Sequence, residues 1–287
     1  MSNEITAVDR LPTLSTTDRG GRMTTLEPGR PVGRLGAAVI LRIVLGWATW
    51  AIVSFVMSAA LFGLAPGSEV GRVLGSPWAA VAALALGWFA ILQSIWVYER
   101  AKASFGQTRV AGLLAWLTVS AGLAAGTAGW LAASLRTDPE PPFDLERIAT
   151  APDIPRELSA LIGAVYAVWA LVILCRLPGA IHHARSRQRT LERLRANGRR
   201  HAAVLTDVTF GNHWVGSQPQ FTIEATYDAD GAQRLARARM RADADRVPVV
   251  GTRMVVLTDG EGSVALEFDE SAEIAFQPEE RYRAPED

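Results

Sequence analysis

Hydrophobic positions are concentrated in four long segments within the first two thirds of the chain, and none of these segments contains a charged side chain. The segments are residues 43–64, 77–98, 110–135 and 158–175. Each is close to the roughly 20 apolar residues that a helix needs to cross about 30 Å of hydrocarbon. The pattern predicts an α-helical membrane bundle at residues 36–183 with four transmembrane helices, the fourth of which we expect to continue to residue 181.

The final third of the chain changes to an alternation of apolar and polar residues with a period of two, which is typical of half-buried β-strands. Asp230-Gly231 and the Asp-Gly-Glu-Gly sequence of residues 259–262 are hairpin turn signals between such runs. The predicted strands are at residues 204–210, 221–227, 236–241, 253–258 and 264–268. We therefore expect a small soluble all-β domain of about five strands, barrel-like, at residues 198–276.

Three further segments have neither pattern. Residues 1–35 are polar and rich in Thr, Arg, Gly and Pro, which predicts a disordered cytoplasmic tail rather than a cleavable signal. Residues 184–197 are rich in arginine and end before Gly198, which predicts a helical stalk at the membrane surface. Residues 277–287 are acidic and contain proline, and we expect a flexible tail there.

The formal net charge is zero, but the basic residues are unevenly placed. Arginines precede the first apolar segment, occur again between the second and third, and follow the fourth. Short basic loops tend to remain in the cytoplasm. The chain is therefore expected to be a multi-pass protein of a bacterial inner (plasma) membrane, with both termini cytoplasmic.

Small residues mark one face of the third apolar segment. Gly122 and Gly126 have GxxxG spacing, and Gly129 lies close to the same face. Small side chains four residues apart allow another helix backbone to approach closely in lipid. We expect this face to be a helix-packing surface, either within the bundle or between copies in a homo-oligomer.

The arginines of the stalk are candidate contacts for anionic lipid headgroups, because each basic residue near a membrane surface contributes roughly 1 kcal/mol. These candidates are Arg185, Arg187, Arg189, Arg193 and Arg195. The alternative is that they only enforce the orientation of the fourth helix.

The sequence contains no constellation that predicts a chemical activity. No phosphate-binding glycine loop, nucleophile elbow or zinc-protease helix is present, so we expect no catalytic residue and no cofactor. The four histidines lack the spacing of a metal site, and we expect no metal. Basic residues at 234–241 are diluted by nearby acids and have few aromatic neighbours, which disfavours nucleic-acid binding. Cys175 is the single cysteine, so an intramolecular disulfide is excluded.

Residues 198–269 show a familiar order of turns and core positions. Gly198 precedes Ala202-x-Val204, and Pro248-x-x-Gly251-x-x-Met254-x-Val256 precedes the final strand. This order resembles a family of small β domains of unknown function that follow membrane helices in many bacterial proteins. The Asp-Pro step of that family's fourth strand is missing here, where Leu257-Thr258-Asp259-Gly260 stands instead. The resemblance implies a fold and a membrane setting, and it supplies no catalytic residue.

These observations favour a non-enzymatic membrane protein whose cytoplasmic β domain binds a protein partner or regulates a membrane assembly, with membrane lipids as its other partners. The alternative is a channel or transporter subunit in which the β domain is a gate. Ion-coupled carriers usually keep an ionisable residue inside a membrane helix, and the four apolar segments have none. A third hypothesis is an envelope-stress or lipid-sensing module that uses the arginine stalk.

Overall fold

The structure, a computed structural model, describes residues 11–33, 35–62, 73, 76–137, 156–215, 218–277 and 282. The chain divides into two compact units. The helical unit is Gly33–His182, and the β unit combines Met1–Val32 with His183–Asp287. The first and last parts of the chain therefore belong to the same unit.

In the part of the chain that the structure describes, four helices are long and apolar enough to cross a membrane. They are α1 (Ala37–Phe62), α2 (Pro77–Phe105), α3 (Thr108–Thr137) and α4 (Arg156–Asn197). The predicted fold class, four such helices followed by a barrel-like β domain, is confirmed.

The helices extend beyond the apolar segments that predicted them. Hydropathy ended the second segment before Glu99, but α2 continues to Phe105 and stops at Gly106, whose φ of 66° is the left-handed conformation that favours glycine. A charged residue can lie in the last turns of a helix without interrupting its backbone hydrogen bonds. Hydropathy therefore identifies the apolar core of each helix and underestimates its length.

The β unit contains a six-stranded antiparallel sheet with the order β1-β4-β3-β2-β5-β6. Its strands are β1 (Thr13–Ser15), β2 (Arg199–Val215), β3 (Gln218–Ala229), β4 (Ala232–Arg241), β5 (Arg253–Thr258) and β6 (Val264–Phe268). The Thr16 hydroxyl donates a hydrogen bond to the Val264 carbonyl, so the two edge strands approach each other. The sheet is consequently a nearly closed barrel.

The barrel core is formed by the inward side of the alternating pattern. Phe221 and Ile223 on β3, Met240 on β4 and Val256 on β5 have at most 1% of their surface exposed. The β3–β4 hairpin turns at Asp230-Gly231 with φ of 53° and 76°, the two positive values that a type I′ turn requires. Five of the six strands were predicted from alternation and turn signals.

The prediction that residues 1–35 form a disordered tail is wrong for the described part of this segment. β1 pairs with Arg239–Arg241 of β4, and Met23 and Leu26 are buried. The Gly29 amide also donates to the Glu192 carboxylate across 3.0 Å. The segment orders because its few apolar residues and backbone groups find partners far away in sequence, which local composition does not reveal. Residues 1–10 and 34 lie outside the described residues.

Residues 184–197 are helical, as predicted, because α4 continues to Asn197, but the prediction of a separate stalk is wrong. Leu191 and Leu194 are buried against Leu257 and Ala265, which lie on β5 and β6. Two leucines three residues apart share one helix face, and that face packs on the sheet. The last turns of α4 are therefore part of the β unit rather than a separate element. The predicted flexible tail at residues 277–287 lies mostly outside the described residues.

Candidate interaction site

Three of the five arginines proposed to contact lipid form ion pairs inside the β unit. Arg195 Nε lies 2.7 Å from Glu267 Oε1, and Arg193 lies 3.5 Å from Asp259 Oδ2. Arg187 Nε lies 3.4 Å from Asp18 Oδ2, with only 10% of the Arg187 side chain exposed. Arg187 and Arg195 therefore cross-link the β unit, whereas the Arg193 pair is exposed and contributes little to stability.

Arg185 and Arg189 are the exposed members of the set that lie outside these ion pairs. Neither has an ion-pair partner among the residues that the structure describes. They are the stalk arginines that remain accessible to an anionic ligand.

The small-residue face of α3 lies against α1. A Cβ atom at Gly126 would lie 2.1 Å from the Ala51 carbonyl oxygen, and one at Gly122 would lie 2.7 Å from the Trp47 carbonyl oxygen. Gly129 has a looser neighbour, with Phe55 at 3.6 Å from the same hypothetical atom. The close approach that glycine permits occurs here between two helices of one chain.

Asp18 joins the N-terminal segment to α4. Its backbone N–H donates to Ser15 Oγ across 2.9 Å, and its carboxylate contacts Arg187 and the His183 ring, whose Nε2 is 2.9 Å from Oδ1. The Asp18 side chain is 6% exposed. A buried carboxylate requires such partners because the loss of hydration is costly. The chain therefore bends sharply after β1 and turns from the sheet towards the helix.

This bend leaves an open cleft of ≈ 500 Å³ in the β unit. One wall is Leu235–Arg237 of β4, and the opposite wall is Gly262–Val264 at the start of β6. Tyr227 lies at its base, and further boundaries come from the bend after β1 and from α4. The lining from those two boundaries is Thr16, Thr17, Arg187 and Thr190. The cleft is thus the part of the gap between β4 and the start of β6 that β1 leaves unfilled.

Hydroxyl and basic groups dominate the polar lining of the cleft. Arg187 and Arg237 are the charged residues among the described lining side chains, and both are basic. Arg237 Nε also donates to Glu224 across 2.8 Å, with 70% of the Arg237 side chain exposed. An exposed ion pair of this type contributes little to stability and exchanges readily with another anion. Arg237 can therefore bind another anionic group without the loss of a strong internal contact, whereas Arg187 stays paired with Asp18.

The β5–β6 turn beside the cleft is fixed by one carboxylate. Asp259 Oδ1 accepts hydrogen bonds from the backbone N–H groups of Glu261 and Ser263, both across 2.9 Å. Hydrogen bonding from the Ser263 side chain and from these amides lowers the pKa of Asp259, and the Arg193 charge adds to the shift. At neutral pH the turn is held by an ionised carboxylate.

A second depression of ≈ 460 Å³ is formed by the loops around Val249–Arg253 and Ala272–Ala275. Its charged side chains are Arg253 and Glu273, which have opposite signs, so it favours no particular ligand charge. Among the described residues no group of three or more His, Cys, Asp or Glu side chains could hold a metal ion. The cleft beside β4 is the better candidate for a binding site.

Sequence reasoning missed Asp18 and the cleft. The Ser15-x-x-Asp18 spacing is a known local signal for side chains that cap backbone groups, and it could have indicated an ordered bend. The cleft gave no such signal because its lining comes from four distant parts of the chain.

Comparisons with protein-family models, with curated proteins and with solved structures each return no match for this chain. The resemblance to small membrane-associated β domains therefore stays a prediction.

Proposed function

We propose that this protein is a non-enzymatic, multi-pass protein of a bacterial inner membrane whose cytoplasmic β domain is a protein-interaction or regulatory module. The observation that carries the proposal is the cleft between the edge strands of the barrel. It combines an exposed strand edge, hydroxyl groups and two arginines, which are the components of a recognition surface for a polypeptide. None of the described lining residues is a His, Cys, Asp or Glu, so the hydroxyl groups have no general base among the lining side chains.

The helical unit supports an anchoring role. Several of its polar side chains bond within the unit, as in the contact of Ser54 Oγ with Thr127 Oγ1 across 3.0 Å and the bond from Arg42 to Gln93 Oε1 across 3.1 Å. Arg42 also lies 5.1 Å from the centre of the Trp96 ring. Polar groups that satisfy one another are typical of helix packing rather than of a hydrated pathway.

Liposome reconstitution distinguishes the anchor from a channel or transporter subunit. The anchoring role predicts that the full-length protein does not increase the flux of K⁺, Cl⁻ or protons above that of empty liposomes. Flux that depends on the protein would favour the channel hypothesis and contradict the anchor.

Photo-crosslinking in living cells tests the interaction function. A photoreactive amino acid replaces Leu235 in the cleft, and a matched variant carries it at Val204, which is also exposed but lies on β2. We expect a discrete adduct from position 235 and a weaker or absent adduct from position 204. If neither position, nor affinity purification of the full-length protein, gives a specific partner, the interaction function is wrong.

Lipid contact is a second candidate role, favoured by the exposure of Arg185 and Arg189. We expect native mass spectrometry of the full-length protein to show fewer bound phosphatidylglycerol molecules after substitution of both residues by glutamine. The expected loss is about 1 kcal/mol for each charge. Gln substitution of Arg199, which is also highly exposed, is the matched control. Equal lipid binding by both variants and the wild type would mean that Arg185 and Arg189 do not contribute to lipid binding.

A further inference from the structure

The β4 edge is only partly covered by the N-terminal segment. β1 pairs with Arg239–Arg241, whereas β4 begins at Ala232. On this side of β4, no described strand pairs with residues 232–238. At about 3.4 Å per residue, this leaves a strand edge of roughly 24 Å with unpaired backbone groups.

The reason is the bend at Asp18. If β1 continued past Ser15 in its antiparallel register, Thr16 and Thr17 would lie opposite Ala238 and Arg237. Instead the Ser15–Asp18 hydrogen bond and the contacts of Asp18 with Arg187 and His183 draw the chain away from β4. The cleft begins where β1 leaves the edge.

We propose that this cleft binds a short, extended, acidic segment of a partner polypeptide, which adds to β4 as a strand in line with β1. This inference rests on the proposed interaction function and specifies its site. Strand addition uses main-chain hydrogen bonds for affinity and side-chain contacts for selectivity. β1 itself shows that an extended segment fits this edge, because it occupies the adjoining three residues.

The chemistry of the walls specifies an acidic segment. Arg237 points outwards from β4, since the inward positions of this strand are Ala236, Ala238 and Met240. Together with Arg187 it places two guanidinium groups beside the added strand, and their ion-pair partners, Glu224 and Asp18, lie outside the described lining. Carboxylates that alternate along an extended peptide would meet these groups and the nearby hydroxyls of Thr190 and Ser263.

Leu235 gives the cleft an apolar contact as well. It is 54% exposed on β4, next to Arg237 on the same outward face. An apolar residue between two acids of the segment would cover it. A segment that alternates acidic and β-branched residues therefore matches both features.

The test uses the full-length protein in detergent and a fluorescent peptide of alternating glutamate and valine. Two matched peptides serve as controls: one has lysine in place of each glutamate, and the other keeps every side chain but has N-methyl groups on alternate backbone nitrogens. The methylated peptide retains the charge and cannot form the ladder of hydrogen bonds. Binding is measured by fluorescence polarisation at protein concentrations up to ~1 mM, so that dissociation constants approaching the millimolar range are detected.

We expect the acidic peptide to bind and both control peptides to bind at least about tenfold more weakly. Arg237→Gln should weaken the acidic peptide by roughly threefold, the size of an exposed ion-pair contribution. Arg199→Gln, which removes an exposed arginine outside the cleft, should leave the affinity unchanged. Arg237→Gln retains the strand, and its fold can be verified by the unchanged far-ultraviolet circular dichroism.

Four results would overturn the inference. Equal binding of the methylated peptide would reduce the site to an electrostatic patch, and displacement of the acidic peptide by inorganic phosphate at equal ionic strength would make it a small-anion site. If no peptide binds while crosslinking from position 235 still captures a specific protein, strand addition is wrong and the interaction function stands. If both assays fail, both proposals are wrong.

Discussion

The helical unit leaves many large apolar side chains exposed, whereas the β unit buries most of its own. In the helical unit Trp78 and Trp88 are 81% and 69% exposed, while Ser54 and Thr127 are buried in contact with each other. In the β unit the large apolar side chains, such as Phe221, are buried, and the charged ones are mostly at the surface. Large apolar side chains are therefore common at the surface of one unit and mostly buried in the other.

The difference follows from the solvent that each unit requires. Exposed tryptophan, leucine and valine over the length of four helices would be unfavourable in water and are favourable in hydrocarbon. In hydrocarbon, packing replaces the hydrophobic effect, so the helical unit depends on small residues and shared hydrogen bonds. The β unit depends on the burial of apolar area from water.

Gly126→Leu is the substitution expected to have the largest effect. The new Cβ would collide with the Ala51 carbonyl oxygen at 2.1 Å and with Ser54 Cβ at 2.7 Å, and a helix backbone cannot move aside locally. We expect a loss of about 3 kcal/mol or more, measured as a lower thermal midpoint and a loss of the monodisperse peak in detergent. Gly112→Leu on the same helix is the control, because nothing lies within 4 Å of its Cβ position. Equal tolerance of both would contradict close packing of α3 on α1.

Ile223→Ala compares the two kinds of burial directly. Ile223 has no exposed surface in the barrel core, so its truncation should cost about 2–5 kcal/mol of β-unit stability. Hydrogen exchange of β3 and β4 amides in the full-length protein would measure this loss. Leu84→Ala in α2 is the control, since Leu84 is 66% exposed and should change helix exchange little in detergent. A large effect at Leu84 would mean that this surface packs on protein rather than on detergent or lipid.

The two units also differ in how much of their structure could be predicted from the sequence. Long apolar segments and alternating strands are local patterns, so the helices and β2 to β6 could be predicted without knowledge of the fold. β1 could not, because Thr13 pairs with Arg241, more than two hundred positions away, over only three residues. The ion pairs of Arg187 and Arg195 depend on Asp18 and Glu267 in the same way. Charge composition alone could not separate arginines that cross-link the β unit from those left exposed.

Asp18→Ala tests whether the N-terminal segment belongs to the β unit. The change leaves Arg187 buried without its carboxylate, and the loss of one partner of a buried pair costs about 3–5 kcal/mol. Because the segment can detach locally, we expect the loss as faster trypsin cleavage after Arg19 and Arg22 in the full-length protein. Asp207→Ala, at an exposed carboxylate on β2, is the control. Unchanged cleavage in Asp18→Ala would show that Asp18 does not hold the segment.

Asp259→Asn is expected to have the smallest effect. Its effect should depend on pH in the β unit and should be absent from the helical unit. Hydrogen bonding lowers the pKa of Asp259 in the folded state, so the ionised carboxylate stabilises the β5–β6 turn above the ordinary aspartate range. That stabilisation is lost as the pH falls through the lowered folded pKa. We therefore expect the amides of residues 259–263 to exchange more slowly in the wild type than in Asp259→Asn at pH 7, after correction for intrinsic rates. The difference should disappear in strong acid, whereas exchange in the α1 and α3 helices should be the same for both proteins at either pH. A difference that persists in acid would mean that the shape of the side chain, rather than its charge, holds the turn.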